Sequence, residues 1–318
     1  MSDPAAGHRP PTTVFVVVGA TACGKTSVAV ELVRSLGAEL ASLDSMKVYR
    51  GMDIGTAKPT AAEREGLVWH LLDLVEPTES FSVGSWLSAA DRAIAECTRR
   101  GVPLVFEGGS PLYYRALTEG LFEGPPANQD LRAELEAFAA ERGVEALHAE
   151  LGAVDPAAAG RIEDRDLRRI IRALEVFRTT GRPISEMQRQ FGVRRAGFDF
   201  RVAGVRRERE ELYARIDRRV EAMMAGGLLA EVESLRRLHG QLSRSALQAL
   251  GYRELGAHLD GEYDLEEAIR LTKRNTRRFA RRQINWFRKL PGIEWFDVVP
   301  EETGGRLAAR IRDFLEPG

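Results

Sequence analysis

Cysteine is scarce in this chain. Cys23 and Cys97 are the only two in 318 residues, too few for a disulfide framework. The five histidines and two cysteines also lack the spacing of a zinc site. Such usage points to a reduced, cytoplasmic protein. Long hydrophobic runs are missing too. Apolar stretches are as short as Val14–Val18, so no segment is read as spanning a membrane. Met1 to Pro11 is polar and proline-bearing, with no apolar centre, and reads as a loose tail over 1–12 rather than a secretory signal. Net charge is nearly absent at −1, which by itself argues against a nucleic-acid partner. What remains, 44% hydrophobic and 29% charged residues, is the composition of an ordinary soluble globular protein. A monomer is the expectation, though composition does not fix the oligomeric state.

The chain is organised around Gly19-Ala20-Thr21-Ala22-Cys23-Gly24-Lys25-Thr26, a G-x-x-x-x-G-K-T loop. It follows the β-branched run Val14–Val18 and precedes a helix-like segment, Ser27 to Leu36, which is the context such a motif requires. Glycines let backbone amides turn inward around phosphate oxygens. The following helix adds unpaired N–H groups and a partial positive charge at its start. Lys25 supplies a full charge, and the Thr26 hydroxyl can hold Mg²⁺. The loop therefore predicts a bound diphosphate, without saying whose. Cys23 reads as a small filler.

Strands and helices alternate around this loop. Glu39–Leu43 is a second short strand, running into Asp44. Val48 to Pro59 has no clean period and reads as a long ordered loop. Leu67–Val75 is another apolar segment, Ser85–Arg100 is helical, and Pro103–Phe106 is a strand ending in Glu107-Gly108-Gly109-Ser110. This alternation predicts an α/β fold with a doubly wound parallel sheet. Glu123 to Asn128 is linker chemistry. From there to about Gln190 the pattern is helical throughout, and a strand returns at Phe200–Val205. We expect a P-loop α/β core over 13–127 and 196–318, carrying C-terminal helices, with an all-helical subdomain inserted at 128–195. Leu212–Leu238 reads as helix broken at Gly226-Gly227, Ala246–Leu259 as one helix, and Leu265–Arg288 as another.

That last helix carries the uneven charge. From Arg270 to Lys289 there are nine Lys/Arg and no Asp/Glu. Like charges at i,i+4 repel, so a one-signed row is costly unless an anionic partner offsets it. Nucleic acid is the partner expected. The Arg161–Arg172 stripe is a second candidate surface, diluted by Glu163, Asp164 and Asp166.

Asp44 ends a strand where α/β sheets bind ligands. It reads either as a metal or substrate contact, or as a general base beside the diphosphate. Asp73 and Glu107 also end strands and are candidate Walker B acids for Mg²⁺, but neither follows a clean four-residue apolar run closed by Asp, which counts against ATP hydrolysis. His70 reads as a packed histidine.

Together, the phosphate loop and the run Asp44-Ser45-Met46-Lys47-Val48-Tyr49-Arg50-Gly51-Met52-Asp53-Ile54-Gly55-Thr56-Ala57-Lys58-Pro59 resemble the signature of the tRNA dimethylallyltransferases. Further matches follow in order: His70 to Asp73, Gly108-Gly109-Ser110, Asp166 to Arg169 with Arg172, and Arg215-Ile216 with Arg219. Gln248 to Arg253 and Arg281-Arg282-Gln283 with Trp286-Phe287-Arg288 complete the series, which spans residues 14 to 290.

The resemblance implies that Gly19–Thr26 holds dimethylallyl diphosphate. The acceptor would be N6 of adenosine 37, beside the anticodon, in tRNAs reading codons that begin with U. It implies Asp44 as the base, with Lys25, Arg219 and Mg²⁺ on Thr26 neutralising the leaving diphosphate. Arg215, one turn from Arg219, shares that candidacy. The tRNA anticodon stem-loop would be met by Asp44, Ser45, Met46, Lys47 and Ser110, and by Gln248, Gly251, Tyr252 and Arg253. Arg277, Arg281, Arg282, Gln283, Trp286 and Arg288 would join from the basic helix, and Arg132, Arg168, Arg169 and Arg172 from the insert. Base flipping is then expected. The sequence departs from the pattern at Ala20 and Cys23, where Pro and Ser are usual, and at Ser110, where Thr is usual. Lys47 stands in place of Gln, which puts base-specific contact there in doubt, since Lys accepts no hydrogen bond. Glu107 stands in place of an apolar residue, and the sequence gives no reason for it. The alternative reading is a P-loop small-molecule kinase with the helical insert as a lid.

Overall fold

A computed structural model describes residues 10–122, 124–188, 192–299 and 302–316. Most of the expected tail lies outside them, and β1 already begins at Thr12. Six strands, β1 (Thr12–Gly19), β2 (Glu39–Leu43), β3 (Trp69–His70), β4 (Leu104–Gly108), β5 (Phe198–Arg206) and β6 (Glu294–Asp297), form one sheet. Their order is β3-β2-β4-β1-β5-β6, and every pairing is parallel.

The short apolar runs are explained by this topology. A parallel strand covered on both faces has no polar side to alternate with. Val14, Val16 and Val18 enter one core cluster with Phe106 and Trp86. Phe15 and Val17 enter the other with Leu32, Val105 and Val205.

Register then sets the site. Val18 pairs with Gly108 on β4, and Leu43 on β2 pairs with the same Gly108. Three chains therefore leave the sheet at one level: Gly19 from β1, Asp44 from β2 and Gly109 from β4. A Cβ on Gly108 would lie 2.0 Å from the Leu43 carbonyl oxygen, so only glycine lets these strand ends close up.

Among the described residues the chain divides into two compact units, one running to Thr118 and resuming at Ala196, the other Glu119–Arg195. The second unit starts upstream of residue 128. Its helices Gln129–Arg142, Val144–Val154 and Leu167–Thr180 bury Leu135, Leu147, Leu151, Ile170 and Leu174 in a core of their own.

Two elements differ from the sequence reading. Only Trp69–His70 of the Leu67–Val75 run joins the sheet, because Leu71 and Asp73 take positive φ values of 65° and 54° and turn the chain away. The segment Ala246–Leu259 is a 3₁₀ turn, Ala246–Gln248, followed by a helix from Tyr252 to Leu259. Gly251, at φ 87°, breaks the two apart. The basic helix, Leu265–Phe287, is packed by Ala268, Thr272, Ala280, Gln283 and Phe287. These recur at helical spacing along one face.

Candidate active site

The phosphate loop joins β1 to the helix Lys25–Leu36. Ala22 and Gly24 take positive φ values of 64° and 101°, which curl the backbone. Its carbonyls are tied up by cations. Arg215 Nε donates to the Ala22 oxygen at 2.9 Å, Arg207 Nε to Cys23 at 3.2 Å and Lys25 Nζ to Ala20 at 3.3 Å. Gln283 fastens the loop from the basic helix: its Oε1 accepts the Thr21 amide at 2.8 Å, and its Nε2 donates to the Gly109 carbonyl at 2.6 Å. These contacts fix the loop's shape and place Lys25, Arg207 and Arg215 around it.

Glu107 closes the floor. It is fully buried, and its Oε1 accepts the Thr26 hydroxyl at 2.8 Å. Lys25 Nζ lies 4.0 Å from Oε1, and Lys47 Nζ 3.6 Å from Oε2. Burial pushes the carboxyl up, while Lys47, Lys25 and the Thr26 hydroxyl outweigh it and hold Glu107 below the usual carboxylate range. Of the two strand-end acids read as Walker B candidates, it is Glu107 that lies against the phosphate-loop threonine. β4 extends through Glu107 to Gly108 as one fully buried strand, so this acid lies within the sheet rather than after it. Lys47 is buried with its ammonium on this carboxylate rather than projecting into solvent.

Asp44 sits half-buried at the end of β2. Its Oδ1 accepts the amides of Met46 at 2.8 Å and Lys47 at 3.4 Å, which fixes the carboxylate on the turn it begins. The Ser45 amide donates to Ser110 Oγ at 3.2 Å, joining the ends of β2 and β4. Arg219, from the helix Arg209–Ala225, faces the same carboxylates. Burial lowers its guanidinium pKa, while Asp44 and Glu107 oppose the shift. Thus Asp44, Lys25, Thr26, Lys47, Glu107 and Arg219 form one electrostatic cluster, with hard oxygen donors on Thr26 and Glu107.

The loop after Asp44 is held by a residue that sequence reasoning missed. Glu231, on the helix Leu228–His239, accepts the amides of Asp53, Ile54 and Gly55 at 3.1, 2.8 and 3.3 Å, and the Tyr252 hydroxyl. Lys58 is buried against the Tyr49 carbonyl at 2.7 Å, Asp53 at 2.5 Å and Asp73 at 2.6 Å.

The other predicted contacts separate by environment. Arg278, Arg281, Arg282 and Arg288 are exposed, as are Gln248, Arg168 and Arg169. Trp286 is half-buried, edge-on to Phe287. Gly251 and Tyr252 are buried, and exposed Arg253 pairs with Glu254. Arg277 binds Asp217 at 2.6 and 2.7 Å, Lys273 binds Glu221 at 2.6 Å, and Arg270 binds Glu267 at 2.5 Å. The row is thus less one-signed in space than in sequence, because the helix Arg209–Ala225 brings carboxylates to it. Arg132 and Arg172 converge on buried Glu175 at 2.8 and 2.5 Å, inside the helical unit.

One group resembling a metal cluster does form among the described residues. Glu39, His70 and Cys97 place their ligand atoms within 4.8 Å of one another. Arg100 already contacts both Glu39 oxygens at 2.6 Å, so the carboxylate has a cation. His70 donates to or accepts from Glu39 at 2.7 Å.

Fold and site define a P-loop α/β protein whose phosphate loop faces an acid at the end of the neighbouring strand. The IPP transferase family model matches residues 47–290, and the chain belongs to that family. It is 45% identical over 302 residues to tRNA dimethylallyltransferase 2 of Geotalea daltonii, covering 95% of this chain and 92% of the relative. It is 48% identical over 305 residues to the tRNA dimethylallyltransferase of Anaeromyxobacter sp. (strain K), covering 96% and 97%. Among solved structures, the full-length tRNA isopentenylpyrophosphate transferase of Bacillus halodurans aligns with TM-score 0.69 and 41% identity, over 96% of this chain and 97% of that one. A eukaryotic dimethylallyltransferase captured acting on tRNA aligns with TM-score 0.81 and 25% identity, over 96% and 79%. Nothing among these relatives supports the kinase alternative. Among the described residues, no helix is long and apolar enough to cross a membrane.

Proposed function

We propose that this protein transfers a dimethylallyl group from dimethylallyl diphosphate to N6 of adenosine 37 in tRNAs reading codons that begin with U. The observation carrying this reading is the register that brings Asp44 and the Lys25–Thr26 end of the phosphate loop to one sheet edge. In the reaction the allylic C–O bond breaks and its electron pair leaves with the diphosphate. The N6 lone pair forms the new C–N bond, and the N6 proton passes to an Asp44 oxygen. N6 is a weak nucleophile because its lone pair is shared with the ring, so a base that takes the proton as the bond forms lowers the barrier.

Lys25, Arg219 and the loop amides receive the charge that develops on the diphosphate. Arg215 is engaged with the Ala22 carbonyl and shapes the loop. Thr26 Oγ1, supported by Glu107, suits Mg²⁺, a cation that takes oxygen ligands. When bound, it would neutralise diphosphate charge. The adenine must leave its stack to reach Asp44, and this favours a single-stranded loop such as the anticodon loop. The exposed arginines of the basic helix suit the phosphates of that stem-loop. Arg168 and Arg169 offer a second basic surface on the helical unit. We read the enzyme as a cytoplasmic monomer.

The test is transfer of label from dimethylallyl diphosphate to an unmodified anticodon stem-loop carrying A36-A37-A38, with Mg²⁺, beside an ATP hydrolysis assay. Transfer without ATP turnover is expected. ATP turnover without transfer would return the loop to a nucleotide and overturn the reading.

A further inference from the structure

We infer that Glu107 and Lys47 form a metal-positioning pair beneath the phosphate loop, with Glu107 accepting the Thr26 hydroxyl's hydrogen bond so that the Thr26 oxygen's lone pairs are free for a cation. The inference rests on the proposed diphosphate and Mg²⁺ reading of this site. These are two of the positions at which the chain departs from the pattern it resembles, and they lie in contact.

The physical case begins with burial. A wholly buried carboxylate is costly unless it is paired and hydrogen-bonded. Glu107 is fully buried, and three polar groups around the phosphate loop meet it: Thr26 Oγ1 at 2.8 Å, Lys47 Nζ at 3.6 Å and Lys25 Nζ at 4.0 Å. A threonine hydroxyl has one hydrogen and two lone pairs. Donating that hydrogen to Glu107 Oε1 directs it away from the anion side and leaves the oxygen as an acceptor or ligand. Without the carboxylate the hydroxyl can rotate, and its hydrogen then competes with a cation.

The second Glu107 oxygen, Oε2, is buried and faces the Lys47 ammonium at 3.6 Å. The outer-sphere role of Glu107 therefore runs through Oε1 and the Thr26 hydroxyl, orienting a ligand as carboxylates do at metal sites, while Oε2 faces the Lys47 counter-charge. Lys47 balances the charge that Glu107 adds, so that Lys25 remains available for the diphosphate. This also accounts for lysine at position 47: its ammonium serves the loop from below.

A purely structural pair would weaken diphosphate binding equally with and without Mg²⁺. A metal-positioning pair weakens the Mg²⁺-dependent part. The experiment titrates inorganic diphosphate calorimetrically into the full chain, in saturating Mg²⁺ and in EDTA, for the wild type and the double variant K47Q/E107V. Mg²⁺ is expected to tighten binding in the wild type, and this enhancement is expected to fall about tenfold or more in the variant, the usual effect of losing an outer-shell partner. Equal enhancement in both proteins overturns the inference. A wild type that binds diphosphate equally well in EDTA overturns it too, while one that binds no diphosphate overturns the reading beneath it. Should K47Q/E107V not fold, E107Q, which keeps the shape and removes the charge, is expected to lose enhancement in the same direction, and an unchanged value there overturns the inference.

Discussion

The Glu231 carboxylate accepts the Ile54 amide at 2.8 Å across 177 positions of sequence. The same carboxylate holds the amides of Asp53 and Gly55. One side chain thus acts as the anion in a cup of backbone N–H groups and fixes the loop that follows Asp44. Glu231→Ala leaves these donors without a protein partner, each such loss costing about 1–3 kcal/mol where water cannot replace it. We expect a destabilised protein whose amides 53–55 exchange with solvent at least tenfold faster. Hydrogen exchange measures this, and unchanged protection at these amides would show that other contacts hold the loop.

Asp44→Ala removes the proposed base and leaves the phosphate loop intact. Loss of a positioned acid or base costs on the order of 10²–10⁴ in rate. We expect single-turnover transfer to fall by that range, with the affinity for the anticodon stem-loop largely kept. If affinity collapses while the rate per bound complex holds, Asp44 is a binding residue and the base lies elsewhere.

Arginines of the basic helix divide into two kinds, and mutation should separate them. Arg277 is committed to Asp217, while Arg281 and Arg282 are exposed. Neutralising Arg281 and Arg282 should weaken tRNA binding and lower the slope of log affinity against log salt by about 0.7–0.9 per lost phosphate contact. Arg277→Gln should instead cost about 0.5–1 kcal/mol of stability, as for a half-exposed pair. Affinity measured at several salt concentrations checks both, and an unchanged slope in the double variant would move the RNA surface off this helix.

Acid should expose the Glu39 cluster. Arg100 holds the Glu39 carboxyl down to about 2 against burial, with His70 and Cys97 assisting. A depressed carboxylate stabilises the fold above its unfolded value, and that contribution is lost as pH falls through the folded one. Wild type should therefore exceed Glu39→Gln by on the order of 2 kcal/mol at pH 7. The gap should close as the pH drops from about 4.5 to about 2. Thermal melts across that range test it, and a constant gap would mean that shape rather than charge carries the effect. Burial and the Glu39 carboxylate push the Cys97 thiol up to about 11, so it stays protonated throughout.

Much of this protein was legible in its sequence, for local reasons. The phosphate loop needs only a strand, two glycines, Lys25 and Thr26 in order, and each is a neighbour of the next. The doubly wound sheet followed from brief β-branched runs alternating with helices, because strands covered on both faces have no polar period. Helix breaks at Gly226-Gly227 were likewise visible, since the positive φ of 95° at Gly227 favours glycine.

Tertiary structure decided what lies between distant residues. No spacing rule connects Glu231 to Ile54, Gln283 to Thr21, or Arg277 to Asp217, since each pair is joined only by packing of separate elements. The charge row of the basic helix looked unopposed because its carboxylates sit on another helix, and charge balance is a property of space rather than of sequence. Glu107 is the clearest case. In sequence it is an acid inside an apolar strand, a local contradiction. In the fold it is the counter-charge of Lys47 and the acceptor for Thr26, and only the register of β4 against β1 makes it so.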